Sequence, residues 1–175
     1  FANNSEAQNT ETETDSFNLS KTLNKAIINN EIIYNANDSM RFDILNRKVL
    51  LYGNAFIKYE NTEIKSDFIE IDWVNNKIYA TGRKDSLGKM HGYPEFKERE
   101  KSFKAREMTY NYKSKKGILK EFVTKEGEGF IHGKKAKKSE TDVMFLRKGE
   151  YTTCDLENPH FSIRSNKIKV IPGKK

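Results

Sequence analysis

Apolar and polar residues alternate with a period of two through most of the chain, and in its first half the alternation is written twice. Met40, Phe42 and Ile44 alternate with Arg41 and Asp43, and Ile69, Ile71 and Trp73 alternate with Glu70 and Asp72. This pattern predicts strands buried on one face. Residues 38–53 and 67–82 align without a gap, 29 positions apart, with Asp43 on Asp72, Asn46 on Asn75 and Lys48 on Lys77. Each copy predicts a hairpin. Asn46 and Asn75 sit where a tight reversal calls for left-handed backbone, and Val49 and Ile78 then resume the alternation. Gly53 and Gly82 close the return strands, where a corner or bulge is expected. Repetition at a fixed period implies stacked supersecondary units, each needing a neighbour to bury its apolar face.

A looser third copy covers 105–118, with Met108, Tyr110 and Tyr112 in the places of Ile69, Ile71 and Trp73, Asn111 in that of Asp72, and a turn enriched in lysine. Residues 27–34 predict a strand, turn and strand entering the first copy. Residues 83–102, with Gly88, Gly92 and Pro94, predict a loop. A strand pair is expected over 122–138, and the last rungs over 143–145, 151–153, 161–163 and 168–171. Roughly twelve to sixteen short strands with little helix make an all-β jelly roll or two-sheet solenoid.

Composition refines this picture. Hydrophobic residues are 35% of the 175 and charged ones 33%, which suits sheets wet on one side. Three prolines leave most of the chain free to pair. An apolar run such as Val49–Tyr52 falls far short of a membrane span. Residues 1–20 hold Glu6, Glu11, Glu13 and Asp15 without Lys or Arg, so 1–22 read as a disordered acidic leader and 23–175 as the folded domain. With an overall charge of +7, residues 21–175 carry +11, which favours anionic partners. The first residue is Phe1, which reads as a processed or trimmed chain. Cys154 is the lone cysteine, a small bland residue in a reducing compartment and a candidate for a disulfide outside this chain in an oxidising one.

Candidate chemistry is sparse. Asp43, Asp72 and Asn111 recur in register; repeated positions have similar environments, whereas a catalytic pair needs different ones, so they read as turn supports and the chain as no enzyme. His91, His132 and His160 are scattered, Cys154 with His160 is an incomplete ligand set, and Gly127-Glu128-Gly129 lacks dinucleotide spacing, so neither metal nor cofactor is expected. Residues 113–138 hold nine lysines against three glutamates. Lys115, Lys116, Lys134 and Lys135 could form a rim for phosphates, or a solvated edge that discourages strand addition. Tyr110, Tyr112, Phe122 and Phe130 between the lysines could pass for a nucleic-acid platform, but an alternating all-β repeat argues against nucleic acid.

These rungs, with Gly149-Glu150-Tyr151-Thr152-Thr153-Cys154-Asp155 and Asn158-Pro159-His160-Phe161, resemble the periplasmic OstA-like domain of the lipopolysaccharide-assembly protein LptD, over roughly 24–175. The repeats alone also fit the soluble relatives LptA and LptC. The resemblance implies a β-jellyroll, an open V of two sheets. It would receive lipopolysaccharide from an LptA-like jellyroll joined by edge-strand addition, and pass it to the protein's own C-terminal barrel with an LptE-like plug lipoprotein. The setting implied is the periplasmic face of the outer membrane of a Gram-negative bacterium, with the barrel expected beyond Lys175.

The trough would be lined by Met40, Phe42, Ile44, Ile69, Ile71, Trp73, Met108 and Tyr110, where each buried methylene of a guest contributes about 0.8 kcal/mol. Replacing Ile71 by Glu is expected to remove the lipid contact with only modest misfolding. By periodicity alone the same residues fit a closed core, and a closed structural or adhesive surface domain is the other reading.

Overall fold

The computed structural model describes residues 32–99, 101–156 and 159–171; the acidic leader lies outside them. Thirteen strands run through these residues, and no helix. In chain order they are β1 (Ile32–Asn35), β2 (Ser39–Asp43), β3 (Lys48–Tyr59), β4 (Thr62–Asp72), β5 (Lys77–Thr81), β6 (Arg83–Lys84), β7 (Met90–His91), β8 (Glu95–Glu98), β9 (Lys101–Asn111), β10 (Lys116–Glu126), β11 (Gly129–Lys138), β12 (Met144–Thr152) and β13 (Ile163–Val170). All but the β6–β7 hairpin join one antiparallel sheet in the order β1-β3-β4-β5-β9-β10-β11-β12-β13, with β2 on β3 and β8 between β4 and β9.

This sheet is folded into two along a line that crosses every long strand. Between β9 and β10 the pairing runs Glu107–Lys120 and then Ala105–Phe122, passing over Arg106 and Glu121. The same step passes over Lys134 on β11, Lys148 on β12 and Asn166 on β13. Glu121 and Lys148 adopt left-handed backbone, with φ of 45° and 51°. On β3 the line is marked by Gly53 (φ 75°) and Asn54 (φ 43°), where the register to β4 shifts. Asp67 supports the corner from β4: its carboxylate accepts from the Asn54 N–H at 3.3 Å and pairs with His91 Nδ1.

One half-sheet therefore contains β2, 48–52 of β3, 68–72 of β4, β5, and the segments 107–111, 116–120, 135–138, 144–147 and 167–170. The other contains β1, 55–59, 62–66, β8, and 101–105, 122–126, 129–133, 149–152 and 163–165. They face each other across the apolar core: the rings of Phe96 and Tyr110, one from each half, are 5.3 Å apart, and those of Tyr59 and Tyr112 5.5 Å.

The repeated turns are stacked, and their polar residues have the supporting role the sequence indicated. Asp43 accepts from the Asn46 backbone and side chain at 3.0 and 2.8 Å, and Asp72 from those of Asn75 at 2.9 and 2.8 Å. Asn111 Oδ1 accepts from the Ser114 N–H at 2.8 Å. Turn then bonds to turn, Trp73 N–H to the Arg47 carbonyl and Tyr112 N–H to that of Asn76. The left-handed positions are Arg47, Asn76 and Lys115, one residue beyond Asn46 and Asn75, because those asparagines are held by the preceding aspartate.

Two expectations about elements change. Residues 83–102 are not wholly a loop: β8 inserts Phe96 between Ile64 and Phe103. The separate rungs expected at 143–145 and 151–153 are one strand, β12, and those at 161–163 and 168–171 are mostly one strand, β13. At the fold line the inward parity slips by one residue, from Leu146 to Gly149 on β12, so a single bent strand reads as two short ones.

Candidate functional site

The two half-sheets enclose a cleft whose floor and roof are continuous rows of side chains. In the first half-sheet, Met40, Leu51, Ile69, Ala80, Met108, Leu119, Ala136, Leu146 and Ile168 stand side by side across nine strands. A second row beside it runs Phe42, Val49, Ile71, Ile78, Tyr110, Gly117, Lys138, Met144, Val170. In the facing half-sheet the row is Tyr34, Ile57, Ile64, Phe96, Phe103, Thr124, Ile131, Tyr151, Ile163.

From β3 to β11 the cleft is filled by these side chains. Leu51, Ile57, Ile64, Ile69, Ile71 and Ile78 are fully buried. A void among Phe96, Phe103, Met108, Tyr110, Leu119, Lys138 and Met144 has a volume of about 10 Å³, no more than one water needs. At its two ends the cleft opens. Tyr151 and Ile163, which continue the facing row onto β12 and β13, are 37% and 73% exposed. Met40 and Phe42, which carry the first rows onto edge strand β2, are 46% and 58% exposed.

The side of the cleft opposite the fold line is closed by polar groups that reach from one half-sheet to the other. Lys138 Nζ lies 2.9 Å from Glu98 Oε2 and 2.6 Å from Asp142 Oδ1, with its side chain only 8% exposed. Burial opposes the Lys138 charge, but Asp142 and Glu98 outweigh it and hold its pKa above the ordinary lysine value. Lys115 Nζ pairs with Glu60 at 2.9 Å across the same mouth. Burial pushes up the phenols of Tyr110, which bonds to Thr62, and of Tyr59 and Tyr112 beside it.

The residues singled out from the sequence divide accordingly. Ile69, Ile71, Met108 and Tyr110 lie together in the buried middle. Met40 and Phe42 share their rows at the open edge, Ile44 stands in an exposed turn, and Trp73 lies at the next turn, 6.4 Å from the Tyr112 ring. The four lysines occupy two places: Lys115 and Lys116 at the cleft mouth, Lys134 and Lys135 at the fold line. Cys154 is a half-buried free thiol, its Sγ 3.7 Å from His160 Nδ1. Sequence reasoning missed Tyr151 and Ile163, because the parity slip at Lys148 hides that they face the cleft. It also missed the Lys138–Glu98 pair, whose partners are 40 residues apart with no local signal. Among the described residues no cluster of three His, Cys, Asp or Glu side chains could hold a metal ion.

The arrangement resembles that of a known transport protein. LptH of Pseudomonas aeruginosa, described as the LptA-homologous periplasmic component of the lipopolysaccharide transport device, superposes with a TM-score of 0.56 at 12% identity, covering 81% of this chain and 94% of that one. At this identity the similarity is one of fold, and the fold is the β-jellyroll. No family model matches the sequence, and no curated protein matches it.

Proposed function

We propose that the protein is a lipid-carrying jellyroll of lipopolysaccharide transport, holding acyl chains in the cleft between its half-sheets. The observation that carries this reading is the facing row that ends in Tyr151 and Ile163: an inward apolar surface that runs out of cover at one end of the cleft. A closed structural domain has no use for such an end, and exposed apolar rows of this kind mark contact with a guest or partner. A guest entering there would meet Ile168 and Val170 from the first half-sheet, both only partly buried.

Within this reading the chain is either a soluble bridge component like LptA or the periplasmic domain of an LptD-like protein, feeding a barrel with its plug lipoprotein at the outer membrane. The fold serves both. The segment 149–161 favours the second, and an oxidising periplasm would make Cys154 available for a disulfide beyond this chain. In either case the outermost strands among the described residues, β13 at one end and β1 with β2 at the other, suit edge-strand addition of another jellyroll. The headgroup would lie outside the cleft.

The filled middle of the cleft favours a second reading, a closed structural or adhesive domain. Titration with a fluorescent fatty acid separates them. We expect saturable binding that lipopolysaccharide displaces, weakened about tenfold by Ile163→Asp, which removes apolar contact at the open end. No binding would support the closed domain, and binding indifferent to Ile163→Asp at unchanged stability would overturn the assignment of the guest to the open end.

A further inference from the structure

A second concavity lies outside the cleft. It is a groove of about 1240 Å³ on the outer face of the second half-sheet, running from Tyr93 across β9 to β13 along the fold line. Its floor is made by outward positions such as Val123 and His132, and Asp155 and Leu156 line it from the 153–156 loop beyond β12. That loop is tied down: Thr152, almost wholly buried, donates its hydroxyl to the Phe161 carbonyl at 2.7 Å and accepts from the Cys154 N–H at 3.0 Å.

The charges in the groove do not balance. Arg106 is answered by Glu121 at 3.0 Å, Arg164 by Glu150 at 3.2 Å, and Lys104 by Glu95 at 2.7 Å. Lys125, Lys134 and Lys148 line the same groove with no ion pair among the described residues, against Asp155 alone. Lys148 is placed there by a left-handed backbone, a conformation that costs a residue other than glycine roughly 1 kcal/mol.

From this geometry we infer that the groove is a second binding site, for a phosphorylated oligosaccharide. Three unpaired ammonium groups are compact charges suited to separate phosphates. The volume exceeds that of a pocket for one small molecule, so an extended ligand of several sugar rings fits it better than a lone phosphate. Tyr93, Phe130 and Leu156 offer apolar surface to the C–H faces of such rings. Single-stranded nucleic acid fits less well, because it calls for aromatic platforms along its path, and Phe122, between them in the lining, is buried in the core. The inference stands apart from lipid carriage in the cleft.

The test is calorimetric titration of the 175-residue chain, at low salt, with the phosphorylated oligosaccharide left after complete deacylation of lipopolysaccharide. We expect saturable binding, weaker by about tenfold in the Lys125→Gln/Lys148→Gln double variant and in Lys134→Gln, and weaker by about tenfold for the same oligosaccharide after phosphatase treatment. Fatty-acid binding should be unchanged in these variants, which keeps the outcome separate from that of the cleft. Equal binding by the variants or by the dephosphorylated sugar would overturn the assignment. So would binding of the acylated lipid alone, displacement by inorganic phosphate at equal concentration, or tighter binding of a single-stranded oligonucleotide.

Discussion

The ammonium of Lys138, on the first half-sheet, lies 2.9 Å from the carboxylate of Glu98, on the second, and both side chains are largely withdrawn from water. The pair spans the one side of the cleft that the bending strands leave open, so the half-sheets are held there by charge rather than by covalent continuity. Removing one partner strands the other in a partly dry site. We expect Lys138→Ala to cost about 2 kcal/mol, less than for a fully buried pair because Asp142 is half in solvent. It should also speed fatty-acid uptake in stopped-flow measurements. A variant as slow as the parent protein would show that the guest enters only by the ends of the cleft.

Acid should act on the turns and on this latch. The Asn46 side-chain amide holds the pKa of Asp43 below 3.8, Asn75 does the same for Asp72, and Lys138 does so for Asp142. A depressed folded-state pKa stabilises above the unfolded value and loses that stabilisation as pH falls through the folded one. The urea midpoint should therefore fall as pH drops past 3.8, and the fall should be shallower in Asp72→Asn. Lys138 titrates in the opposite sense: its raised pKa stabilises below 10.5 and is lost as pH rises through the folded value. Loss of stability above pH 10.5 should be smaller in Lys138→Met, checked by the same denaturation series.

Much of this architecture is legible in the sequence, because strand periodicity fixes which residues share a face. The alignment of Ile69 with Met108 and of Ile71 with Tyr110 is realised as ladder rows, through Ala80 and Ile78. Periodicity says nothing of what covers that face. Met40 and Ile69 have the same parity in the same row, yet one is half exposed on an edge strand and the other fully buried, since cover comes from a half-sheet distant in sequence. Where the strands bend, the alternation slips by one residue, which cut β12 and β13 in two and left Tyr151 and Ile163 unassigned. Strand β8 was illegible for a plainer reason: Phe96 is its single core side chain.

The fold line makes its own demand on glycine. A Cβ on Gly53 would lie 2.2 Å from the Asp38 carboxyl carbon, and the backbone there is left-handed. Gly88 is also left-handed, with φ 78°, but a Cβ would meet nothing within 4 Å. Gly88→Ala should cost about 1 kcal/mol, the conformational penalty alone. Gly53→Ala should cost about 2 kcal/mol or more, because Asp38 must also move away from Arg83, its partner at 2.5 Å. Chemical denaturation of the two variants measures the difference, and equal losses would mean that the Asp38 loop yields freely.

Ile71 and Ile163 both face the cleft, but one is sealed and the other is not, and this reverses the expectation for a charge at Ile71. Ile71 packs between Val49 and Ile78 with no exposed surface, so a glutamate there would unfold the protein rather than merely empty the cleft. The informative substitution is to alanine. Ile71→Ala should cost about 3 kcal/mol through the cavity it leaves, while Ile163→Ala should alter stability by no more than about 0.5 kcal/mol. If the open end receives the acyl chain, fatty-acid affinity should follow the opposite order, falling for Ile163→Ala and holding for Ile71→Ala at a temperature where both remain folded. An affinity that fell with stability instead would place the guest in the packed middle.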